Sequence, residues 1–310
     1  MPFTLHTHSG QFCHHAHGTL EELVQAAVAA GLRTLGLSEH MPRQRVQDLY
    51  PEEANATPDS LHARFDAYVH EARRLRDKYA NQLRILVGME TEYIYAEQAT
   101  KVQALRARYS LDYVVGSVHH VHGHPIDFDA AMLAEAQTAS GGTAETLVCA
   151  YFDAQRDMLH ALRPEVVGHF DLIRRLMPRD TEWTEAVWQR VRENATIIAS
   201  YGGLVEINTA AWKYGFADPY PQQAVIKILK AAGCRFTLSD DAHSPEQVAA
   251  FHNVRLRDYL ARCNIDTVYA LEPVDVASAN GSAADGPFAK AQVVALDGIH
   301  HESFWTQAAR

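Results

Sequence analysis

Thr4-Leu5-His6-Thr7-His8-Ser9-Gly10-Gln11-Phe12-Cys13-His14-His15-Ala16-His17 is the stretch whose reading decides the fold. It carries five of the chain's 18 histidines between His6 and His17. Phe3-Thr4-Leu5 reads as a short apolar strand, and Gly18-Thr19-Leu20-Glu21-Glu22 as a helix start, with Thr19 as cap and Glu22 three residues on. The histidines therefore occupy a strand end and the loop leading into a helix. Residues i and i+2 of a strand share a side, so His6 and His8 point the same way and can share one metal ion.

Outward from this loop the same unit repeats. Leu20–Ala30 has helical spacing and stops at Gly31. The apolar runs 34–38, 83–89, 113–118, 166–168, 204–208 and 235–239 read as strands, and 61–79, 96–108, 145–162, 183–201, 222–232 and 245–263 as helices between or after them. A last strand is expected at 267–271. Alternation of this kind means parallel strands with crossover helices. Residues 41–60 form a polar loop. Two further loop excursions are expected, 121–142 and 272–290, and otherwise residues 1–310 make one domain.

Polar residues stand just after nearly every strand: His6 and His8; Glu39 and His40; Glu90; His119; His169; Asp241 and His243. In a (β/α) barrel such strand ends meet at one mouth, whereas an open sheet spreads them along an edge. A seven- or eight-stranded barrel is the better reading. The donors are nitrogen and oxygen without thiolate, which suits Zn, Fe or Mn. Nine candidates fit two or three divalent ions better than one, and Glu90 is the natural bridging carboxylate. Such a cluster supports hydrolysis by a metal-bridging hydroxide, with paired ions clamping a phosphate.

Composition narrows the classes. The 310 residues carry a net charge of −10, which argues against nucleic-acid binding through phosphate contacts. Cysteines 13, 149, 234 and 263 form no CxxC pair, so neither a disulfide framework nor a zinc–thiolate site is expected. No apolar run reaches membrane-spanning length, and the first strand leaves no room for a signal peptide. A cytoplasmic location and no membrane partner follow as expectations; the oligomeric state stays open. His62, His70, His160 and His252, on predicted helices, read as surface residues. His120, His122 and His124 read as loop residues. Cys13 as a thiol nucleophile is set aside, because metal hydrolysis already accounts for the histidines.

His6-Thr7-His8, Ser38-Glu39-His40, Gly88-Met89-Glu90-Thr91-Glu92-Tyr93, Gly116-Ser117-Val118-His119-His120, Val167-Gly168-His169-Phe170-Asp171-Leu172 and Ser239-Asp240-Asp241-Ala242-His243 run in order from residue 4 to about 250. Together they resemble the polymerase and histidinol phosphatase (PHP) family. Ser9–Cys13, Glu39–Arg43 and His119–Gly123 resemble its histidinol-phosphatase branch, and Pro125–Asp129 and Tyr151–Gln155 the fungal-type members of it. The resemblance implies an α/β fold, a distorted seven-stranded (β/α)7 TIM-like barrel, with a trinuclear metal site. One ion would take His6, His8 and Asp241 with Glu90 bridging. A second would take Glu90, His119 and His169, and a third a loop histidine with His40 and His243. The Phe12-Cys13-x-His-Ala pattern favours His15 for the loop ligand; His17 is the alternative and His14 the spare.

The reaction implied is hydrolysis of L-histidinol phosphate to L-histidinol and phosphate in histidine biosynthesis. The expected catalytic residues are Glu90, Asp241 and His243, with Asp241 or a mouth histidine as proton donor to the leaving group. Arg43 and Arg174 are candidates for holding phosphate, since guanidinium matches its oxygens, and Glu92 or Asp127 for facing the substrate's ammonium group. Rival readings are another PHP phosphoesterase acting on nucleotides or other small phosphomonoesters, an amidohydrolase-type barrel, and a non-catalytic metal-binding protein. The amidohydrolase reading is weakened because Glu90 stands where many of those enzymes use a carboxylated lysine.

Overall fold

The computed structural model describes residues 3–273, 291–301 and 305. The chain divides into two compact units, residues 1–90, 105–115 and 237–310 in the first and 91–104 and 116–236 in the second.

In the first unit β1 (Phe3–Thr4), β2 (Thr34–Leu37) and β3 (Arg84–Val87) form a parallel sheet in that order, with Phe3 opposite Thr34 and Thr34 opposite Arg84. β4 (Met89–Glu90) pairs in parallel with the first residues of β5 (Val114–Gly116). All four residues of β2 are buried, as expected of a parallel strand covered on both faces. α1 (Leu20–Ala29) starts at the predicted Thr19–Glu22 capping box, and α2 (Pro58–Tyr79) buries Leu61, Phe65, Tyr68, Val69, Ala72 and Leu75. β10 (Arg235–Ser239) lies beside β1: Leu5 N donates to Leu238 O at 3.3 Å, and Thr4 Oγ1 donates to Asp240 Oδ1 at 2.9 Å.

Tyr113 binds these strand ends together. It is fully buried, and its hydroxyl donates to Leu5 O at 2.8 Å. Its ring fits because Gly36 and Gly88 lack side chains: a Cβ there would lie 2.3 Å and 2.5 Å from Tyr113 atoms.

The second unit contains the parallel pair β8 (Val166–Val167) and β9 (Leu204–Asn208), with α5 (Ala144–Leu162), α6 (Glu185–Tyr201) and α7 (Gln223–Ala231). α6 ends as predicted at Gly202, whose φ of 78° supplies the left-handed cap. The expected excursion 121–142 has structure of its own. β6 (His120–Val121) and β7 (His124–Pro125) form a hairpin, and α4 (Ala130–Ala139) follows, capped by Asp129. His122 and Gly123 both have positive φ, as a two-residue hairpin turn of type I′ requires.

Two expectations need correction. The helix expected over 245–263 exists only as α8 (Val254–Arg262) after a short turn at Pro245–Gln247. Asp240 Oδ2 accepts from Ala249 N at 2.5 Å, so a side chain takes a backbone donor the helix would have used. The helix restarts at Asn253, whose side chain accepts from Arg255 N. That turn places His252, expected on the surface, at 0% exposure. The expected last strand is β11 (Val268–Pro273), and it is antiparallel to β12 (Ala291–Leu296), which the sequence reading missed. Most of the expected 272–290 loop lies outside the described residues. Among the described residues no helix is long and apolar enough to cross a membrane.

Candidate metal centre

In the first unit the strand ends bring His6, His8, His40, Glu90, Asp241 and His243 together. His6 and His8 leave β1 on the same side, as the spacing predicts. Thr7 between them turns away, its hydroxyl donating to Gly36 O at 2.9 Å. Glu90 ends β4, and His40 bridges to it in a parallel ladder contact. Asp241 follows β10 with φ 47°, a left-handed conformation uncommon outside glycine, asparagine and aspartate.

The distances are those of donors around shared ions. His6 Nε2 lies 3.2 Å from Glu90 Oε1 and 3.6 Å from Asp241 Oδ1. His8 Nε2 lies 3.4 Å from Glu90 Oε2 and 3.5 Å from Asp241 Oδ1, and His40 Nδ1 3.0 Å from Glu90 Oε2. Two ligands each about 2.1 Å from one ion sit roughly 3 to 3.5 Å apart. His8 makes the fit plainest. It is fully buried, and neither ring nitrogen has a hydrogen-bond partner among the described residues. Buried polar atoms are rarely left so; a cation between His8 Nε2 and the Glu90 and Asp241 carboxylates would satisfy that nitrogen, while Nδ1 faces Glu39. Three donor groups of this unit can each hold an ion: His6, His8 and Asp241; His8, His40 and Glu90; and Cys13, His15, His40 and His243.

Electrostatics agree. Burial, aided by His40, pushes the His8 imidazole well below its ordinary range against Glu90 and Asp241. Burial does the same to His243 against Asp241. Both are then neutral, the form that binds metal. Burial would raise the Asp241 carboxyl, but His6, His243 and His8 outweigh it and hold it well below the usual range.

Glu39, read from sequence only as a strand-end acid, sits behind His8. Its Oε1 accepts from Ser9 N at 2.8 Å and Ser9 Oγ at 2.7 Å, and Oε2 faces His8 Nδ1 at 3.7 Å. A carboxylate behind a ligand histidine fixes its tautomer and orientation. Burial pushes the Glu39 carboxyl up to about 7 against the Ser9 donors.

The histidine-rich loop is pinned at both ends. Phe12 N and Cys13 N donate to Ser9 O, and His17 N donates to His243 O at 2.7 Å. Gly10 makes this possible, since a Cβ there would lie 2.7 Å from Ala16 O. His15 faces the cluster, its ring 4.9 Å from that of His243. Its Nδ1 meets Glu52 Oε1 at 2.7 Å, and its Nε2 lies 3.3 Å from Cys13 Sγ. Burial works against charge on His15, but Cys13 holds it up to about 9. His14 and His17 are in none of the metal-binding groups among the described residues.

In the second unit His119 Nε2 and His169 Nε2 are 3.1 Å apart. His119 Nδ1 is 3.5 Å from Glu92 Oε2. Glu206, absent from the sequence reading, accepts from His169 N at 2.5 Å and from Asn208 Nδ2 at 2.7 Å. No motif marked Glu206, because it lies inside β9 and not after it.

The arginine candidates have structural partners. Arg174 Nε pairs with the buried Asp171 at 2.8 Å, and its Nη2 donates to Pro219 O. Its guanidinium lies over the Phe216 and Tyr220 rings. Arg43 pairs with Glu53 at 3.1 Å, over the Tyr50 ring. It also lines a recess with His15, His40 and Arg64. Asp127 is half-buried, and its backbone oxygen accepts from Arg175 Nε at 3.0 Å.

Parallel strands ending in imidazoles and carboxylates at ligand spacing define an α/β protein able to hold several metal ions. The PHP domain family matches residues 4–210. A probable histidinol-phosphatase of Schizosaccharomyces pombe is 43% identical over 276 residues, 88% of this chain and 90% of that protein. A histidinol-phosphatase of Saccharomyces cerevisiae is 30% identical, covering 82% of this chain and 87% of its own. Among solved structures, a putative histidinol phosphatase of Listeria monocytogenes superposes with a TM-score of 0.71 at 22% identity, over 80% of this chain and 97% of that one. A histidinol phosphate phosphatase of Lactococcus lactis, complexed with zinc, L-histidinol and phosphate, gives 0.63 at 18% identity, over 84% and 94%. The chain belongs to the PHP domain family and, within it, to the histidinol-phosphatase branch.

Proposed function

We propose that this chain hydrolyses L-histidinol phosphate to L-histidinol and phosphate in histidine biosynthesis. The observation that carries the reading is the 43% identity to the S. pombe protein across nearly the whole of both chains. The buried, ligand-spaced donors of the first unit support it. With the family comes a distorted seven-stranded barrel forming one domain, supported by the parallel strand pairs. We assign it to the cytoplasm on the strength of this biosynthetic role.

The family resemblance assigns one ion to His6, His8, Asp241 and Glu90, a second to His119 and His169, and a third to His15, His40 and His243. Divalent ions bound there supply an activated water at neutral pH and neutralise phosphoryl oxygens. Glu90 contributes two oxygens, so it can serve two ions. Glu39 holds His8 with Nε2 toward the carboxylates. His243 gives its Nδ1 to Asp241 O at 2.9 Å, leaving Nε2 for the cluster. Proton delivery to the leaving alkoxide falls to a mouth histidine and not to Asp241, whose carboxyl the neighbouring imidazoles hold ionised. Arg43 is favoured over Arg174 for phosphate, because Arg174 is tied on three sides. Asp127 is favoured over the buried Glu92 for the substrate's ammonium group.

The test is phosphate release from L-histidinol phosphate and from a panel of nucleoside monophosphates, measured on chelated protein and after refilling with Zn, Fe or Mn. Turnover of histidinol phosphate that requires metal and exceeds that of every nucleotide is expected. A preference for nucleotides would replace this reading with that of another phosphoesterase of the family.

A further inference from the structure

Cys13 is the one thiol among these donors. A buried cysteine with only structural work sits among apolar side chains. Cys13 is 6% exposed, yet its Sγ lies 3.3 Å from His15 Nε2 and within hydrogen-bonding reach of His40. Ligand atoms of Cys13, His15, His40 and His243 all lie within 4.8 Å of one another. Ideal tetrahedral zinc, with Zn–S of about 2.3 Å and Zn–N of about 2.1 Å, needs donor separations of roughly 3.4 to 3.6 Å. Small adjustments of side chains reach that arrangement.

The outer nitrogens give independent support. His15 Nδ1 is engaged by Glu52, and His243 Nδ1 by the Asp241 carbonyl. Ligand histidines characteristically donate their second nitrogen to a carboxylate or a backbone carbonyl, as these two do. The Nε2 atoms are thus left for the space that Cys13 Sγ faces. The Ser9 turn fixes the Cys13 backbone, so the sulfur is presented and not merely nearby.

We propose that Cys13 is a thiolate ligand of the third ion, completing a Cys-His-His-His site. This rests on the metal-centre reading above and departs from the all-nitrogen-and-oxygen set the sequence suggested. On binding, a metal–sulfur bond forms and the thiol proton is released to solvent. Four protein donors close the site in the substrate-free enzyme, and sulfur makes it softer than the neighbouring all-oxygen-and-nitrogen sites. It therefore selects zinc or cobalt over manganese.

The test uses the full chain, stripped by chelation under reductant and refilled with cobalt(II). Wild type should show a near-ultraviolet sulfur-to-cobalt charge-transfer band. C13S should lose it, while C149S keeps it. Bound cobalt counted alongside separates the outcomes. Full cobalt loading without the band in wild type, or a band that survives in C13S, overturns the thiolate ligand and leaves the metal centre standing. No bound cobalt at all overturns both. X-ray absorption of the wild-type zinc protein gives a reading that does not depend on the variant folding: a Zn–S distance of about 2.3 Å is expected, and purely nitrogen and oxygen scattering refutes the proposal.

Discussion

Glu39→Gln should have opposite effects with and without metal. The amide oxygen can still accept both Ser9 donors, so packing is kept. Its NH2 group, however, now faces His8 Nδ1 and requires that nitrogen to be an acceptor. The proton then moves to Nε2, the atom that faces Glu90 and Asp241. Loss of such a supporting carboxylate lowers metal affinity by about 10- to 100-fold. In the stripped protein the balance reverses. The carboxyl is raised from 4.5 to about 7, which disfavours its ionised form in the fold by about 3 kcal/mol. This cost is absent below pH 4.5, grows as pH rises, and is complete above 7. Weaker hydrogen bonds from Ser9 return roughly 1 kcal/mol. At pH 8 the stripped variant should therefore be about 2 kcal/mol more stable than stripped wild type, a Tm gain of a few degrees. Thermal melts at pH 8 with and without chelator, and metal titration of both proteins, decide it. A stripped variant that melts below wild type, together with unchanged metal affinity, would refute the role given to Glu39.

Two further outcomes are expected. Arg174→Ala leaves Asp171 buried without its guanidinium, which should cost about 3 kcal/mol of stability; an unchanged Tm with a raised KM for histidinol phosphate would instead make Arg174 a phosphate ligand. His15→Ala should lower the bound metal by one ion per chain while His17→Ala and His14→Ala leave it unchanged; plasma emission analysis of dialysed protein reads this directly, and loss of metal in His17→Ala alone would move the ligand to that residue.

What the sequence made legible follows from local rules. Strands buried on both faces are continuous apolar runs, and the polar residue after each is conspicuous. His6, His8, His40, Glu90, Asp241 and His243 could therefore be named before their positions were known. Thr19 and Gly202 mark helix ends by their own chemistry. What was hidden depended on partners distant in sequence. Glu39 looks like any strand-end acid until Ser9 and His8 are seen around it. Glu206 lies within a strand. The break at 248–253 arises because Asp240 captures Ala249 N, which no helical periodicity reveals. Cys13 is passed over in the sequence because metal hydrolysis already accounts for the histidines around it, and only the fold shows its sulfur beside His15.

The hydrogen bond between Thr4 and Asp240 joins residues 236 positions apart. A ribosome adding about 5 to 20 residues per second needs some tens of seconds or less between making the first and making the second. Throughout that interval the first strand lacks its neighbour, and His6 and His8 lack Asp241. The nascent N-terminal segment thus presents imidazoles and a thiol to the cell before the carboxylate that completes their cage has been synthesised. Completion of the His6, His8 and Asp241 group is therefore one of the last events in this protein's biogenesis. A truncated product ending before residue 240 would hold loose, exchangeable metal and no working centre.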